Sequence, residues 1–171
     1  QRDLDGKADL LSLYAGAEVA CTGVHGAHRL ASNSLLESVV FAYRASVNAD
    51  RYLRYLPETW SDRARAALRR ATVPTDRPSA PADRVEELRT RLQALLWQHC
   101  GIIRTIAGLD EARRRLDEIQ AEAAQLLGRH RLDPPLLELR NLIEVGQLVV
   151  QAARRRTSNV GTHFNQDLAE S

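Results

Sequence analysis

The stretch EVACTGVHGAHRLASNSLLE, residues Glu18–Glu37, decides how this chain is read. Its first half, Thr22-Gly23-Val24-His25-Gly26-Ala27, is too rich in Gly, Ala and Thr for a packed helix or a regular strand. Glycine lacks a Cβ, so such a loop lets backbone approach a ligand closely. The second half reads as a helix start: Ser34 with Glu37 three residues on forms a capping-box pattern, and Leu35, Leu36, Val39, Val40 and Phe41 follow. The first turn of a helix presents unpaired N–H groups and a partial positive charge, which suit an anion. Arg29 precedes that start by five residues, with a planar fork that fits a carboxylate or a phosphate.

Composition narrows the class. The chain has 171 residues, of which 44% are hydrophobic and only 5% aromatic, so a core must be built from Leu, Val, Ile and Ala. The net charge of +2 demands no nucleic-acid partner. Arg113-Arg114-Arg115 sits among Asp110, Glu111, Asp117 and Glu118, and Arg154-Arg155-Arg156 ends a helix, where cations suit the dipole; both read as solvated faces without aromatic stacking platforms. Cys21 and Cys100 make no disulfide framework and read as reduced thiols of a cytoplasmic protein. With His99, His130 and His163 they lack metal-ligand spacing, so no metal site is expected. No apolar run approaches the roughly 18 to 20 residues of a membrane span. The chain opens on Gln1 and contains no Met, which leads us to expect an internal or processed piece of a longer protein.

Along the chain, residues 1–31 read as short extended pieces and turns, with strands expected at Leu10–Tyr14 and Glu18–Cys21. A helix from about Ser34 to Tyr55 ends before Pro57, and its apolar first half should be buried on more than one face. A short helix covers 60–72. Residues 73–81 hold three prolines in nine positions and mark a domain boundary. Three helices follow. The first runs from Ala82 to His99, with Asp83 and Glu86 at its start and Val85, Leu88, Leu92, Leu95 and Leu96 on one stripe. The second runs from Gly108 to Leu127 and is stopped by Gly128; Leu109, Ala112, Leu116, Ile119, Ala123 and Leu126 form its seam. The third is capped by Asp133, with Pro134 at its first position, and runs to Arg156; Leu139, Leu142, Ile143, Gly146, Val149, Val150 and Ala153 share a face. The expected organisation is mixed: a strand, loop and helix piece over 1–72, a linker over 73–81, an all-α three-helix bundle over 82–156 and a tail over 157–171.

Gly23 through Glu37 resembles the C-terminal flavin-binding motif of the L-aspartate oxidases, and more broadly the flavoprotein subunits of succinate dehydrogenase and fumarate reductase. Asp3-Leu4-Asp5-Gly6 and Leu13 through Val19 are similar to that family's lead-in to the motif. Leu92 through Trp97, Gly101-Ile102-Ile103-Arg104, Leu139-Arg140-Asn141-Leu142 and Gly161-Thr162-His163-Phe164 resemble its helical C-terminal domain. The resemblance implies the C-terminal part of an FAD-dependent enzyme that oxidises L-aspartate to iminosuccinate, with oxygen or fumarate reoxidising the flavin, in the route to NAD. The dinucleotide-binding Gly-x-Gly-x-x-Gly is missing from these residues, so the partner implied is the N-terminal part of the same enzyme, and the 171-residue chain alone is expected to be inactive. Two other readings stay open: a succinate dehydrogenase or fumarate reductase flavoprotein, and a non-catalytic helical interaction module.

By the same resemblance, Arg29 binds a substrate carboxylate, His25 lines the substrate site, and Glu18, Ser34 and Leu35 contact FAD. Taken as residues alone, Arg29 reads first as a surface arginine, Ser34 as an ordinary cap and Glu18 as an exposed turn residue; the motif around Arg29 reverses that order. Three departures stand out: His28 where the family has Asn, the order Gly16-Ala17 reversed before Glu18, and Ser158-Asn159-Val160-Gly161 in place of a Glu-Ser-Arg-Gly pattern.

Overall fold

A computed structural model describes residues 7, 12–27, 29–57, 59–70 and 76–168. Of the sequence features above, Asp3 through Gly6, Leu10, Leu11, His28, the last two residues of the expected 60–72 helix, and Val73, Pro74 and Thr75 of the linker lie outside the described residues. The chain divides into two compact units, residues 1–71 and 72–171.

The first unit is organised around one long helix, α1 (Ala31–Arg54), followed by α2 (Thr59–Arg70). The segment before α1 runs back along it. Ser12 Oγ donates to Tyr52 Oη at 2.9 Å, Tyr14 Oη to Asn48 Oδ1 at 3.2 Å, and Thr22 Oγ1 to Glu37 Oε1 at 2.6 Å, so later residues of the segment meet earlier turns of the helix. This segment contains no strand at Glu18–Cys21. Ala17–Val19 is a 3-10 turn, and Tyr14 makes only an isolated antiparallel bridge with Lys7. Helix α1 starts three residues earlier than its sequence pattern indicates, at Ala31, with Leu30 at the N-cap and no side-chain cap. The capping box therefore does not form. Glu37 is drawn away from the helix start by partners in the preceding loop, and burial goes to Glu37 and Phe41, leaving Leu35, Leu36, Val39, Val40 and Tyr43 exposed. The expectation that both faces of this half-helix are covered is corrected accordingly.

The second unit contains α3 (Ala82–Cys100), β1 (Ile103–Arg104), α4 (Ile106–Arg129), α5 (Pro134–Arg155) and β2 (Phe164–Asn165). Its core is drawn from all three helices: Val85, Leu88, Leu92 and Leu95 from α3; Leu109, Ala112, Leu116, Ile119 and Ala123 from α4; Leu136, Leu139, Ile143, Val150 and Ala153 from α5. Each fully buried leucine contributes roughly 1.5–3 kcal/mol of transfer free energy. Gly146 marks a close approach, since a Cβ there would stand 3.2 Å from Leu96 Cδ1. The period of α5 holds at Leu139, Ile143, Val150 and Ala153, whereas Leu142 and Val149 sit at its edge and stay partly exposed.

Helix ends follow local chemistry. Thr105 Oγ1 accepts from Gly108 N at 2.9 Å and starts α4; Asp133 Oδ1 accepts from Leu136 N at 3.3 Å and starts α5, with Pro134 in the first turn as its missing N–H allows. Helix α3 starts instead after Pro81 without a side-chain cap, and α4 runs through Gly128 to Arg129. Arg77 donates to the Gly128 carbonyl at 2.8 Å and Arg131 N to the Pro78 carbonyl at 2.9 Å, so the end of the proline-rich segment is tied to the end of α4. On the surface, Glu111 accepts from Arg114 and Arg115, and these bonds hold its carboxyl at about 2. Arg154 pairs with Asp110 at 2.9 Å. Such exposed pairs engage Arg114, Arg115 and Arg154 of the arginine runs while adding little stability.

The residues after α5 return to the unit. Strand β2 pairs with β1 in parallel, Ile103 opposite Phe164 and Arg104 opposite Asn165. Asn165 is buried and exchanges hydrogen bonds with Asn159, whose Oδ1 accepts from Asn165 N at 2.8 Å. Asp167 Oδ2 accepts from Ile106 N at 2.7 Å, a carboxylate at the positive end of α4. Arg104 Nη1 donates to His163 Nδ1 at 2.9 Å. His163 is buried, and burial followed by the charges of Arg104 and Arg156 lowers its pKa from 6.5. The folded state thus favours the neutral ring. Its stability is fully present above the ordinary pKa of 6.5 and falls as the unfolded chain takes up a proton that the folded ring resists. Thermal melts of the chain should show Tm falling as pH drops below 6.5, and His163→Gln should flatten that dependence.

Candidate functional site

The loop Thr22–Ala27 is shaped by two glycines. Gly23 has φ +80° and Gly26 φ +58°, and Gly26 N donates to the Gly23 carbonyl at 3.3 Å to close a turn. No atom of the described residues lies within 4 Å of the place a Cβ would take at either glycine, so this backbone is open among them to an approaching group. Thr22 sets the turn from its start: its Oγ1 accepts from Val24 N at 3.2 Å while donating to Glu37.

Glu37 joins this loop to the second turn of α1. Its side chain is 3% exposed. One carboxylate oxygen takes the Thr22 hydroxyl; the other lies 2.6 Å from His25 Nε2 and 3.9 Å from Arg29 Nη2. Hydrogen bonds from Thr22 and then His25 lower its pKa, with the charges of His25 and Arg29 adding to the effect. The carboxylate is therefore ionised and only accepts, which places the His25 proton on Nε2. Arg29 Nε donates to Ser34 Oγ at 2.5 Å, and its Nη2 stands 3.8 Å from Glu18 Oε1.

The sequence-derived residues therefore gather unevenly. His25, Arg29 and Ser34 meet around Glu37, and Glu18 reaches Arg29 while its own side chain stays 82% exposed. Leu35 takes no part in these contacts and is 75% exposed beside them on α1. Glu37 itself was missed as a site residue. The available signal was a carboxylate on the same helical face as Phe41, four residues on, a position where burial demands partners.

The arrangement offers N–H donors at the uncapped first turn of α1, an open glycine turn, and the exposed apolar side chains of Leu30 and Leu35. Donors beside apolar surface fit a flat heteroaromatic ring with carbonyl edges, and the adjacent guanidinium fits a carboxylate.

Similarity to known proteins points to a flavoprotein. The family described as fumarate reductase flavoprotein C-term matches residues 89–171. The chain is 35% identical to the chloroplastic L-aspartate oxidase 2-a of Nicotiana tabacum, over 96% of this chain and 27% of that protein. It is 37% identical to the L-aspartate oxidase of Vibrio cholerae, over 97% of this chain and 31% of that one. Among solved structures, Mycobacterium smegmatis Sdh1 in complex with UQ1 superposes with a TM-score of 0.69 at 29% identity, covering 92% of this chain and 27% of the other. Residues 89–171 thus match the fumarate reductase flavoprotein C-term family, and the chain as a whole is similar to a part of the L-aspartate oxidases. It spans about a quarter to a third of the length of the curated relatives it matches.

The reversed pair Gly16-Ala17 has a structural consequence. Ala17 sits at φ +60°, a left-handed conformation that glycine adopts freely. The penalty for a residue with a Cβ is roughly 1–2 kcal/mol, against which a glycine loses about 0.4–1 kcal/mol through greater freedom of the unfolded chain. Ala17→Gly should therefore raise stability by up to about 1 kcal/mol, measured by urea unfolding of the chain.

Proposed function

We propose that these residues form the C-terminal part of an L-aspartate oxidase, with Arg29 binding a carboxylate of L-aspartate. The observation that carries the reading is the Arg29 guanidinium, held by Ser34 Oγ at 2.5 Å beside an open glycine turn and a helix start. FAD, when bound, supplies the hydride acceptor for oxidation of the substrate Cα to iminosuccinate. In this reading Glu18, Ser34 and Leu35 would hold FAD together with the N–H groups of the first turn of α1, while Ser34 also fixes Arg29 from within that helix. A helix start directed at developing negative charge stabilises it without reorganisation. His25 belongs to the wall around the substrate.

The dinucleotide-binding fold belongs to the rest of a longer polypeptide, which agrees with the chain's share of its relatives and with the uncovered Leu35, Leu36, Val39 and Tyr43 of α1. We assign that N-terminal part to this face, oxygen or fumarate as the final acceptor, and NAD biosynthesis as the destination of the product. A cytoplasmic location is consistent with two free cysteines, and no described helix is long and apolar enough to cross a membrane. The likeness to Mycobacterium smegmatis Sdh1 supports a second reading, a flavoprotein that oxidises succinate. Reduction of the flavin by L-aspartate but not by succinate separates the two.

Arg29→Lys tests the assignment in the complete enzyme. Lysine keeps the charge and loses the fork, so kcat/KM for L-aspartate should fall about ten- to a hundredfold with flavin content unchanged. Loss of FAD with turnover per bound flavin preserved would assign Arg29 to the cofactor instead.

We further propose that α3, α4 and α5 form a three-helix bundle that folds without the first unit, a reading supported by the core they share. A fragment of residues 72–171 should melt cooperatively by circular dichroism; a gradual loss of helix would refute this.

A further inference from the structure

A buried carboxylate needs a reason, because an apolar side chain of similar size would stabilise a helix–loop contact without the desolvation of a charge. Glu37 is buried on α1 and divides its two oxygens between different tasks. Oε1 takes the hydroxyl of Thr22, the residue from which the glycine turn starts. Oε2 takes the Nε2–H of His25 at 2.6 Å and stands 3.9 Å from Arg29 Nη2. Three side chains of the loop are thus referred to one point on a rigid helix. A mere anchor would need only one of these contacts. The three together orient both loop residues assigned to substrate, His25 and Arg29.

We propose that Glu37 is the positioning residue of this site: by holding His25 Nε2–H and the Nη2 side of Arg29, it leaves His25 Nδ1 and Arg29 Nη1 as the atoms these two side chains offer to a ligand. The same logic fixes the tautomer of a histidine whose second nitrogen is to act. Among the described residues, the charged groups around the ring are Glu37 itself and Arg29, with Glu18 beyond Arg29 at 3.8 Å. Hydrogen bonds that favour the ionised Glu37 keep it an acceptor across the neutral range, so the direction of the His25 bond does not reverse there. The identity of the ligand rests on the L-aspartate oxidase reading; the role of Glu37 toward His25 does not.

The test has two arms. In the first, the 171-residue chain is labelled with 15N-histidine, and long-range proton–nitrogen correlation reads which nitrogen of His25 is protonated at neutral pH, with His25→Gln assigning the signal. The expected result is a proton on Nε2, a signal that moves in Glu37→Gln, and an Nε2 proton retained in Glu37→Asp. A ring protonated on Nδ1 alone in the unsubstituted chain overturns the proposal, and so does an unchanged signal in a folded Glu37→Gln. The first of these outcomes needs no substitution, so a variant that fails to fold leaves the proposal exposed to refutation. In the second arm, the complete flavoenzyme carries the same substitutions. Glu37→Gln should lower kcat/KM for L-aspartate about tenfold or more with FAD content unchanged, and Glu37→Asp should recover part of the loss. Activity that merely tracks thermal stability, without rescue by Asp, would make Glu37 a structural residue and overturn the proposal. If the unsubstituted enzyme leaves L-aspartate untouched, the functional reading fails on its own, while the histidine signal still decides the role of Glu37.

Discussion

Removing the Glu37 carboxylate from water strips it of hydrogen bonds that the protein must replace, and the replacements organise the first unit. Thr22 and His25 supply them from the loop, and Arg29 adds a positive charge at 3.9 Å. Because these partners precede α1 in the chain, satisfying the carboxylate bends the segment back along the helix. Contacts farther on, from Tyr14 to Asn48 and from Ser12 to Tyr52, continue the same course. An apolar residue at this position would leave the Thr22 hydroxyl and the His25 N–H without their acceptor, and the loop without a register on the helix.

The second unit is held in a different way. Its helices need no buried charge, because leucine and alanine seams on α3, α4 and α5 meet in one core. Polar groups start and close its elements, and ion pairs such as Arg91–Glu122 cross between helices at the surface: Thr105 and Asp133 start helices, Asp167 closes the start of α4 from the far end of the unit, and Arg104 joins a short strand to His163. The two units thus differ in means: a buried carboxylate ties loop to helix in the first, and apolar packing joins the helices of the second.

What could be read in advance follows from the range of each interaction. The seams of α3, α4 and α5 repeat at helical spacing within one element, and Asp133 with Pro134 is a local start signal; these appear in the structure with small shifts at the ends. Ser34 and Glu37 have the spacing of a capping box, but Glu37 found stronger partners twelve and fifteen residues earlier, and a pattern confined to one helix carries no sign of that competition. The apolar first half of α1 was legible as a surface meant for cover, while its exposure in this chain depends on what lies against it. Strand β2 is two residues long and pairs across most of the unit, too short and too remote for alternation to reveal. His25, Arg29 and Ser34 were legible because a motif places them; the carboxylate that gathers them was not, because its role appears only when loop and helix are brought together.

The partners Ile106 and Asp167 are 61 residues apart in sequence, with α4 and α5 between them. Closing a loop of that length carries an entropic cost that contacts inside a helix, or between consecutive helices, do not. The helical core can therefore assemble from near neighbours, with the β1–β2 pair and the Asp167 bond closing the circuit afterwards. This makes the seam between the two ends of the unit a late and separable event in its folding order, while the packing of α3, α4 and α5 sets the pace.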